Sequence, residues 1–288
     1  MEASGKRYLW HSRRGDVFRI WNIADIHLLN AGCAINDLKR DLQEIAQDPM
    51  SFWLGGGDMV DFIGYRDKRF DPQCVSAEVP LSALGDLGQY GMRKMRDLFR
   101  PIRHKCLGLL LGNHEKHYQQ ANEQESLHGW LCKELGVANL GYCCLFHLQF
   151  CWTARARQPV LMPKAPPRSV YKCDWSVRVF AHHGAGYAQT PGGKLNRLLA
   201  FMDSFDADLV FCGHVHDHVA RKQPILGINP DGTKIVERQR LGLVSGSYLK
   251  TYAQGTMGYG EIRGYRPTSL GSAVAELCPG TKTMRAAI

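Results

Sequence analysis

The order of apolar and polar positions along the chain predicts several buried strands separated by amphipathic helices. Apolar, β-favouring runs recur along the sequence, and each ends in glycine or in polar residues, as buried strands do. These runs are VFRIWNIA (17–24), SFWLGG (51–56), CLGLLLG (106–112), CCLFHLQFCW (143–152), WSVRVFA (175–181), DLVFCG (208–213) and RLGLVSGSYL (240–249).

Between several of these runs, apolar residues recur every three to four positions, which is the period of an amphipathic helix. Helices are predicted at residues 35–47, 80–99 and 192–205. Because strands and helices alternate, we expect an α/β layered core in one domain that spans residues 1–288. Residues 253–288 are rich in glycine and small residues and give only a weak pattern.

Composition permits a globular enzyme, because 288 residues with 44% apolar content can bury a large core. No segment approaches the roughly 20 uncharged apolar residues that cross a bilayer, and the N-terminus lacks the apolar core of a signal peptide. The 10 cysteines are scattered and form no C-x-x-C pair. We therefore predict a cytoplasmic protein with reduced thiols and no membrane span.

The net charge of +9 favours an anionic partner, such as a phosphorylated metabolite, a nucleic acid or a membrane surface. Basic residues gather in segments 92–105 and 155–172. The second segment is proline-rich and is predicted to form an extended loop, a rim or lid over a site. A solvated surface is the alternative interpretation of both segments. The basic residues of the loop are Arg155, Arg157, Lys164, Arg168 and Lys172.

Five of the apolar runs are followed directly by residues of the types that bind metal ions. Any one of them has an ordinary explanation, such as a helix cap or a turn, but their joint occurrence favours a site. Parallel strands place their C-terminal ends along one edge, so these groups are expected to converge there. They are Asp25 and His27, Asp58, Asn113 with His114 and Glu115, His182 with His183, and His214 with His216.

Imidazole and carboxylate groups without cysteine suit two divalent transition metals rather than a thiolate site. One carboxylate can bridge two ions about 3.5–4 Å apart, and Asp58 is the natural candidate. Manganese is the favoured ion, and iron, zinc, nickel, cobalt and magnesium are compatible with the same ligands. The predicted cofactor is therefore a pair of divalent metal ions.

The series DIH, GGD, GNHE, HHG and GHVH resembles the five-part signature of the calcineurin-like metallophosphoesterases. The resemblance implies a four-layer αββα sandwich with a dinuclear metal site at the C-terminal edge of the strands. It also implies that His114 is the catalytic histidine and that Asp58 bridges the ions. The remaining ligands would be Asp25, His27 and His216 for one ion, and Asn113, His214 and either His182 or His183 for the other. His183 is favoured because it directly precedes glycine.

Such a centre implies metal-dependent hydrolysis of a phosphomonoester or phosphodiester. Two cations lower the pKa of a bound water, so that hydroxide can attack phosphorus near neutral pH. His114 would act as general acid toward the departing oxygen, with its ring oriented by Glu115 or by a backbone carbonyl. The basic segments leave open a nuclease that acts on DNA or RNA. A non-catalytic binding or scaffold module is the alternative from another class, and the complete ligand set disfavours it.

Two competing motifs fail on their spacing. HEKH at 114–117 is one residue short of the zinc-protease pattern H-E-x-x-H, and GGK at 192–194 lacks the first glycine and the hydroxyl residue of a P-loop. Lys194 and Asn196 are interpreted as part of a helix start rather than as phosphate ligands. Neither the oligomeric state nor the physiological substrate follows from the sequence.

Overall fold

The computed structural model describes residues 1–13, 15–63, 67, 70–122, 126–154, 156–162, 164, 167, 171–186, 188–229, 231–255 and 258–287. Arg155 and Arg168 of the predicted basic loop lie outside the described residues. The strands are β1 (Glu2–His11), β2 (Phe18–Ile23), β3 (Ser51–Gly55), β4 (Cys106–Leu109), β5 (Cys143–Trp152), β6 (Val160–Met162), β7 (Lys172–His182), β8 (Leu209–Cys212), β9 (Val219–Ile228), β10 (Ile235–Val244), β11 (Ala273–Cys278) and β12 (Thr283–Ala287). The helices are α1 (Ile35–Gln47), α2 (Leu87–Phe99), α3 (Asn113–Asn122), α4 (Leu127–Leu135), α5 (Pro191–Ser204) and α6 (Tyr259–Ile262).

The strands form two mixed sheets. One sheet has the order β6-β1-β5-β7-β8-β10-β9, and the other has the order β12-β11-β2-β3-β4. Strands β2, β3 and β4 run parallel to one another, as do β7, β8 and β10. Each parallel set therefore brings the C-terminal ends of its strands to one edge of its sheet.

Three apolar clusters separate four layers. The central cluster joins the two sheets, for example through Phe18 and Phe52 on one side and Phe146 on the other. A second cluster packs α1, α2 and α4 against the outer face of the β2–β3–β4 sheet. A third packs α5 against β7 and β8 through Leu198 and Phe180. This arrangement confirms the predicted αββα sandwich, in which each sheet has one face on its partner sheet and one face under helices.

Local sequence explains where the helices begin and end. α5 starts after Thr190, whose hydroxyl accepts a hydrogen bond from the Gly193 N–H, and Pro191 occupies its first turn. α4 ends at Gly136, which has a left-handed φ of 67°. No helix in the described part of the chain combines the length and apolar character needed to cross a bilayer. All 10 cysteines are free thiols.

The basic loop 155–172 connects β5 to β7, two antiparallel strands. At one end of this pair Cys143 lies opposite His182, and at the other end Trp152 lies opposite Lys172. At about 3.3 Å per residue, Lys172 is roughly 33 Å along β7 from His182. The loop therefore leaves and rejoins the sheet at the end opposite the histidines, and these contacts do not support its interpretation as a rim or lid.

The other basic segment, 92–105, extends toward the same end of the molecule. It runs along α2 and finishes in a 3₁₀ helix, Arg100–Lys105, directly before β4 begins. β6 contacts this 3₁₀ helix. We call this part of the molecule the basic end; it is formed by Arg100–Lys105, β6 and the β5–β7 connection. We call the opposite edge, where β2, β3, β4, β7 and β8 end, the metal edge.

Candidate metal centre

Five predicted ligands lie in sharp backbone turns at the metal edge. A left-handed φ in a residue other than glycine is unfavourable by about 1–3 kcal/mol, and such residues cluster at functional sites. Here the turns follow directly after β2, β3 and β8, and they direct side chains from different strands toward one another. The φ angles are 53° for Asp25, 49° for His27, 50° for Asp58, 71° for His214 and 49° for His216.

The first group of converging ligands consists of Asp25, His27 and His216. Asp25 is fully buried, and its Oδ1 lies 3.3 Å from His216 Nε2 without a hydrogen-bond partner among the described residues. His27 Nε2 lies 3.4 Å from His216 Nε2. His27 Nδ1 donates to Asp61 Oδ1 at 3.2 Å, so that Nε2 keeps its lone pair. A cation between these atoms would satisfy all three groups.

The second group consists of Asp58, His183 and His214. His183 Nδ1 donates to the Gly56 carbonyl at 2.8 Å, and His214 Nε2 donates to the Gly186 carbonyl at 3.1 Å. These bonds fix both ring orientations and leave the other ring nitrogen of each histidine directed into the group. Asp58 Oδ2 lies 3.3 Å from His183 Nε2.

Asn113 completes this second group with its side-chain amide. Its oxygen lies 2.8 Å from His214 Nδ1, 3.0 Å from His183 Nε2 and 3.1 Å from Asp58 Oδ2. The amide, both ring nitrogens and the Asp58 carboxylate converge at one point, and all are group types that bind divalent transition metals. The residues therefore fit a bound metal ion.

A third group, His27, Asp58 and His114, lies between the other two. Asp58 thus belongs to two groups, which is the geometry of a bridging carboxylate. Its Oδ1 also accepts the His114 backbone N–H at 2.9 Å. His114 Nδ1 hydrogen-bonds the Asp61 backbone carbonyl. Of the two predicted ways to orient this ring, the carbonyl is the one present.

The histidine doublet is divided between the site and the core. His183 is fully buried and joins the second group. His182 points elsewhere, because its ring contacts Phe201 at 4.6 Å between centroids and its Nδ1 accepts the Gly184 N–H at 2.8 Å. Burial lowers the pKa of His182 to about 4. The structure therefore brings only His183 of the pair toward the predicted metal position.

Two acidic residues outside the predicted ligand set, Asp61 and Glu115, support the ligands. Asp61 holds His27 as described, and its Oδ2 accepts the Asn30 side-chain N–H at 3.1 Å. Glu115 is fully buried and accepts backbone N–H groups of Asp58 at 3.1 Å, Met59 at 2.6 Å and Gly112 at 3.1 Å. It therefore holds the backbone at Asp58 rather than the ring of His114. The sequence signal for Asp61 was its position three residues after Asp58.

Two glycines allow the backbone to approach the carboxylates. A Cβ atom on Gly112 would lie 2.1 Å from Asp58 Oδ1, and one on Gly213 would lie 2.8 Å from Asp25 Oδ2. Neither position has room for a side chain. The GNHE and GHVH motifs therefore need their glycines for space, since the left-handed turns fall on the ligands themselves.

The centre has the electrostatics of a cation site. Burial would raise the pKa of Asp58, but the charges of His183 and His114 hold it well below its ordinary value. Burial would likewise lower the pKa of His183, but the charge of Asp58 raises it to about 10. The field at His183 Nε2 thus favours positive charge, whether a proton or a metal ion supplies it.

A model of the calcineurin-like phosphoesterase family matches residues 18–218. The chain belongs to this family. The matched region contains all the His and Asp groups described above, so this calcineurin-like phosphoesterase carries a set of converging His and Asp residues that could hold metal ions. It is a metallophosphoesterase by family and by ligand set.

Comparison with solved structures gives distant likenesses to this phosphoesterase. A predicted phosphoesterase from Streptococcus pneumoniae is 10% identical, with 91% of this chain and 84% of that chain covered and a TM-score of 0.33. A double mutant of Vps29 from Entamoeba histolytica is 12% identical, with 94% and 98% covered and a TM-score of 0.37. GAP50 of Plasmodium is 12% identical, with 91% and 81% covered and a TM-score of 0.40. A search of curated proteins gives no match.

The metal centre of the phosphoesterase opens into a cleft of about 440 Å³. His27, Asp58, Asn113, His114 and His216 line its inner part. Lys194 also lines the cleft, but its Nζ lies 3.0 Å from Asp217 Oδ2, which neutralises its charge. Asn196 lies on the exposed side of α5. Among the described residues of 155–172, none lines the cleft.

Proposed function

We propose that this protein hydrolyses phosphomonoester or phosphodiester bonds with two divalent cations, manganese being the favoured ion. The observation that carries the proposal is the Asp58 carboxylate, whose ligand atoms lie within 4.8 Å of those of His27 in one group and of His183 and His214 in another. The proposed ligands are Asp25, His27 and His216 for one ion, Asn113, His183 and His214 for the other, and Asp58 for both.

When bound, the two cations supply an activated water and neutralise the phosphoryl oxygens. The chain's own residues then hold the geometry. Asp61 and the carbonyls of Gly56 and Gly186 keep the ligating nitrogens of three histidines directed inward, and the Asn113 oxygen completes one set. Such supporting contacts are worth about 10–100-fold in metal affinity or activity.

His114 is proposed as the general acid. Its ring lines the cleft, and its Nδ1 is held by the Asp61 carbonyl, which leaves Nε2 as the nitrogen that passes a proton to the departing oxygen. The His27 ring lies at 4.7 Å between centroids and nearly perpendicular to it, which restricts the imidazole to this orientation. His114 also belongs to the third ligand group, so its role is tested directly by metal content.

The nuclease alternative has lost its main support. It rested on the two basic segments, and both extend toward the basic end rather than lining the cleft. The complete ligand set supports an enzyme over a scaffold module. The cytoplasmic location remains a prediction from the sequence.

The test is hydrolysis of p-nitrophenyl phosphate and of its bis ester by the full chain, with Mn²⁺ and with EDTA. We expect turnover of at least one ester with Mn²⁺ and none with EDTA. Metal analysis of the same preparation should find two ions per chain. Equal rates with Mn²⁺ and EDTA, or metal content that does not respond to Asp58→Asn, would overturn the proposal.

A further inference from the structure

The cleft is much larger than the metal centre that it contains. Its volume of about 440 Å³ lies within the roughly 300–1,000 Å³ of sites that bind organic ligands. A phosphoryl group at the proposed ions would fill only the inner part. The outer part is therefore available to the group esterified to that phosphate.

The outer wall is built from residues 249–255 and 258–268, which are fixed to the metal edge near both ends. Lys250 N donates to the Gly32 carbonyl at 3.0 Å, and Ser269 N donates to the His216 carbonyl at 3.3 Å. Within the segment, the Tyr252 hydroxyl donates to the Tyr265 carbonyl at 2.7 Å. These bonds connect the wall to the turns that carry the ligands, so that its position relative to the metal centre is defined.

The outer cleft combines apolar surface with positive charge. Val215, Leu249 and the half-buried Tyr265 supply apolar and aromatic surface. Lys250 and Arg266 are exposed, line the same cleft, and make no ion pair with a described residue. The acidic residues among the described lining are Asp58 and Asp61, and both belong to the metal centre. Away from that centre, the cleft therefore favours a planar apolar group and an anion.

We propose that the substrate is a small phosphoester whose organic part carries a planar ring and a second anionic group, as a nucleoside bisphosphate does, and that the outer cleft binds this part. Tyr265 contacts the ring, and Arg266 with Lys250 binds the second anion. Arginine is suited to this task because its planar fork matches phosphate or carboxylate oxygens in a bidentate manner. This proposal rests on the proposed hydrolytic function.

The cleft favours a small ester over a nucleic acid chain. Binding of a polymer needs a row of cations that tracks successive phosphates. Here Lys194 is neutralised by Asp217, which leaves two unpaired cations in the described lining, both on the wall segment. Two cations on the same wall of the cleft match one additional anionic group.

The experiment measures binding of adenosine 3′,5′-bisphosphate and adenosine 5′-monophosphate by calorimetry to the full chain in EDTA, where turnover and metal contacts are absent. Lys250→Ala/Arg266→Ala should weaken bisphosphate binding about tenfold or more, since contacts to charged groups are lost, and should affect the monophosphate less. Tyr265→Leu should weaken both compounds by about two- to tenfold, and Tyr265→Phe should retain the affinity.

The matched control is Arg221→Ala/Lys222→Ala, which removes the same charge from exposed positions on β9. It should leave both affinities unchanged. Equal weakening by the control pair, no difference between the two compounds, or tighter binding of a single-stranded oligonucleotide than of the bisphosphate would overturn the proposal.

Hydrolysis assays separate this inference from the proposed function. With Mn²⁺, KM for the bisphosphate should rise in Lys250→Ala/Arg266→Ala by more than kcat falls. If the calorimetric pattern holds but no ester is hydrolysed in a metal-dependent manner, the hydrolytic function is wrong and the binding site stands. If metal-dependent hydrolysis occurs and the wall variants bind as the unaltered chain does, only the binding site is wrong.

Discussion

The metal edge and the basic end lie at opposite ends of the same strands and differ in how they hold charge. At the metal edge, Asp25 and Asp58 are buried and surrounded by histidines. At the basic end, Arg100, Arg103 and Arg157 are exposed to solvent. The first arrangement holds unfavourable backbone angles and buried charge, which a protein keeps where they serve a purpose. The second is what ordinary solvated surface looks like.

This difference shows that the charge of a whole sequence is weak evidence about its substrate. Even within the basic end, charge has structural uses. Lys105 is buried, and its Nζ donates to the carbonyls of Ile45 at 2.6 Å and Asp48 at 2.7 Å, where it satisfies the end of α1. Its pKa is lowered by burial. The groups that face the cleft, and not the total charge, determine which substrate can bind.

The largest expected effect comes from breaking the metal edge at its centre. Asp58→Asn should abolish hydrolysis, a loss greater than the roughly 10⁴-fold attributed to a single general acid, because a neutral amide is a poor bridge between two cations. Metal analysis should show fewer than two ions per chain. Asp203→Asn, which removes an exposed carboxylate from α5, is the matched control and should keep full activity and both ions. Two ions retained by Asp58→Asn would exclude the bridging role.

The second largest effect is expected from His114→Ala, a variant that distinguishes catalysis from metal binding at the metal edge. His114→Ala should retain both ions and lose on the order of 10²–10⁴ in rate, the usual contribution of a positioned acid. The loss should be smaller for p-nitrophenyl phosphate, whose leaving group hardly needs a proton, than for an alkyl phosphate.

His214→Ala and His216→Ala provide the comparison for this variant. Both should lose metal and activity together for every substrate, since those imidazoles belong to the ligand groups. If His114→Ala loses metal as they do, or is impaired equally with good and poor leaving groups, His114 is a ligand and not the acid.

A smaller effect is expected from Asp61, whose carboxylate hydrogen-bonds His27 and which does not belong to any of the three ligand groups. Asp61→Asn should lower affinity for the ion at His27 by about 10–100-fold, because the His27 ring loses its anionic partner at 3.2 Å. The ion at His183 should be retained, which a general loss of folding would not allow. Titration of the metal-free chain with Mn²⁺ measures both affinities. Equal loss at both ions would mean that Asp61 acts on the fold.

Much of this fold could be predicted from the sequence because its central strands are buried on both faces. The seven apolar runs each contain or overlap a strand, and α1 has the predicted bounds. The strands at or near the sheet margins were not predicted. β9 alternates exposed and half-buried residues around Pro224, and β11 lies in the glycine-rich C-terminal segment. β9 is specified by its pairing with β10 rather than by its own apolar content.

The ligand residues could be predicted from the sequence because each motif directly follows a strand. The end of that strand then determines where the side chains of the motif lie. Three features depended on tertiary contacts instead. His183 rather than His182 reaches the site because the second ring packs on Phe201. The function of Glu115 depends on backbone N–H groups up to 57 residues away in sequence. The position of the basic loop follows from the pairing of β5 with β7.

The pKa of a buried histidine outside the metal edge should shift in the opposite direction to the pKa of His183. His128 on α4 is buried and bonds Asn139 Oδ1 through Nε2 at 3.1 Å, and burial lowers its pKa to about 4. The unfolded chain, with the ordinary value near 6.5, takes up the proton first as pH falls. The contribution of His128 to the free energy of unfolding is therefore fully present above about pH 6.5. It is lost as the pH falls toward 4.

When the pH falls from 7 to 5, the protonation of His128 in the unfolded chain should lower the free energy of unfolding by roughly 2 kcal/mol. Denaturant titrations at both pH values should show that His128→Gln, which cannot titrate, loses less stability on acidification than the unaltered chain by about this amount. An identical change in both proteins would mean that His128 is accessible to protons in the folded state.

The smallest effect on kcat and KM is expected from charge reversal at the basic end. Arg100→Glu, Arg103→Glu and Arg157→Glu in one chain reverse three exposed charges without touching the cleft. With Lys172 roughly 33 Å along β7 from His182, salt at physiological strength screens most of the interaction, since the Debye length is about 8 Å. We expect kcat and KM for small esters to stay within about twofold, the range of long-range steering under screening. Measurements at low and physiological salt check this. A rise in KM that persists at physiological salt would place the basic end at the substrate path, and the loop 155–172 would then act as the rim that its sequence suggested.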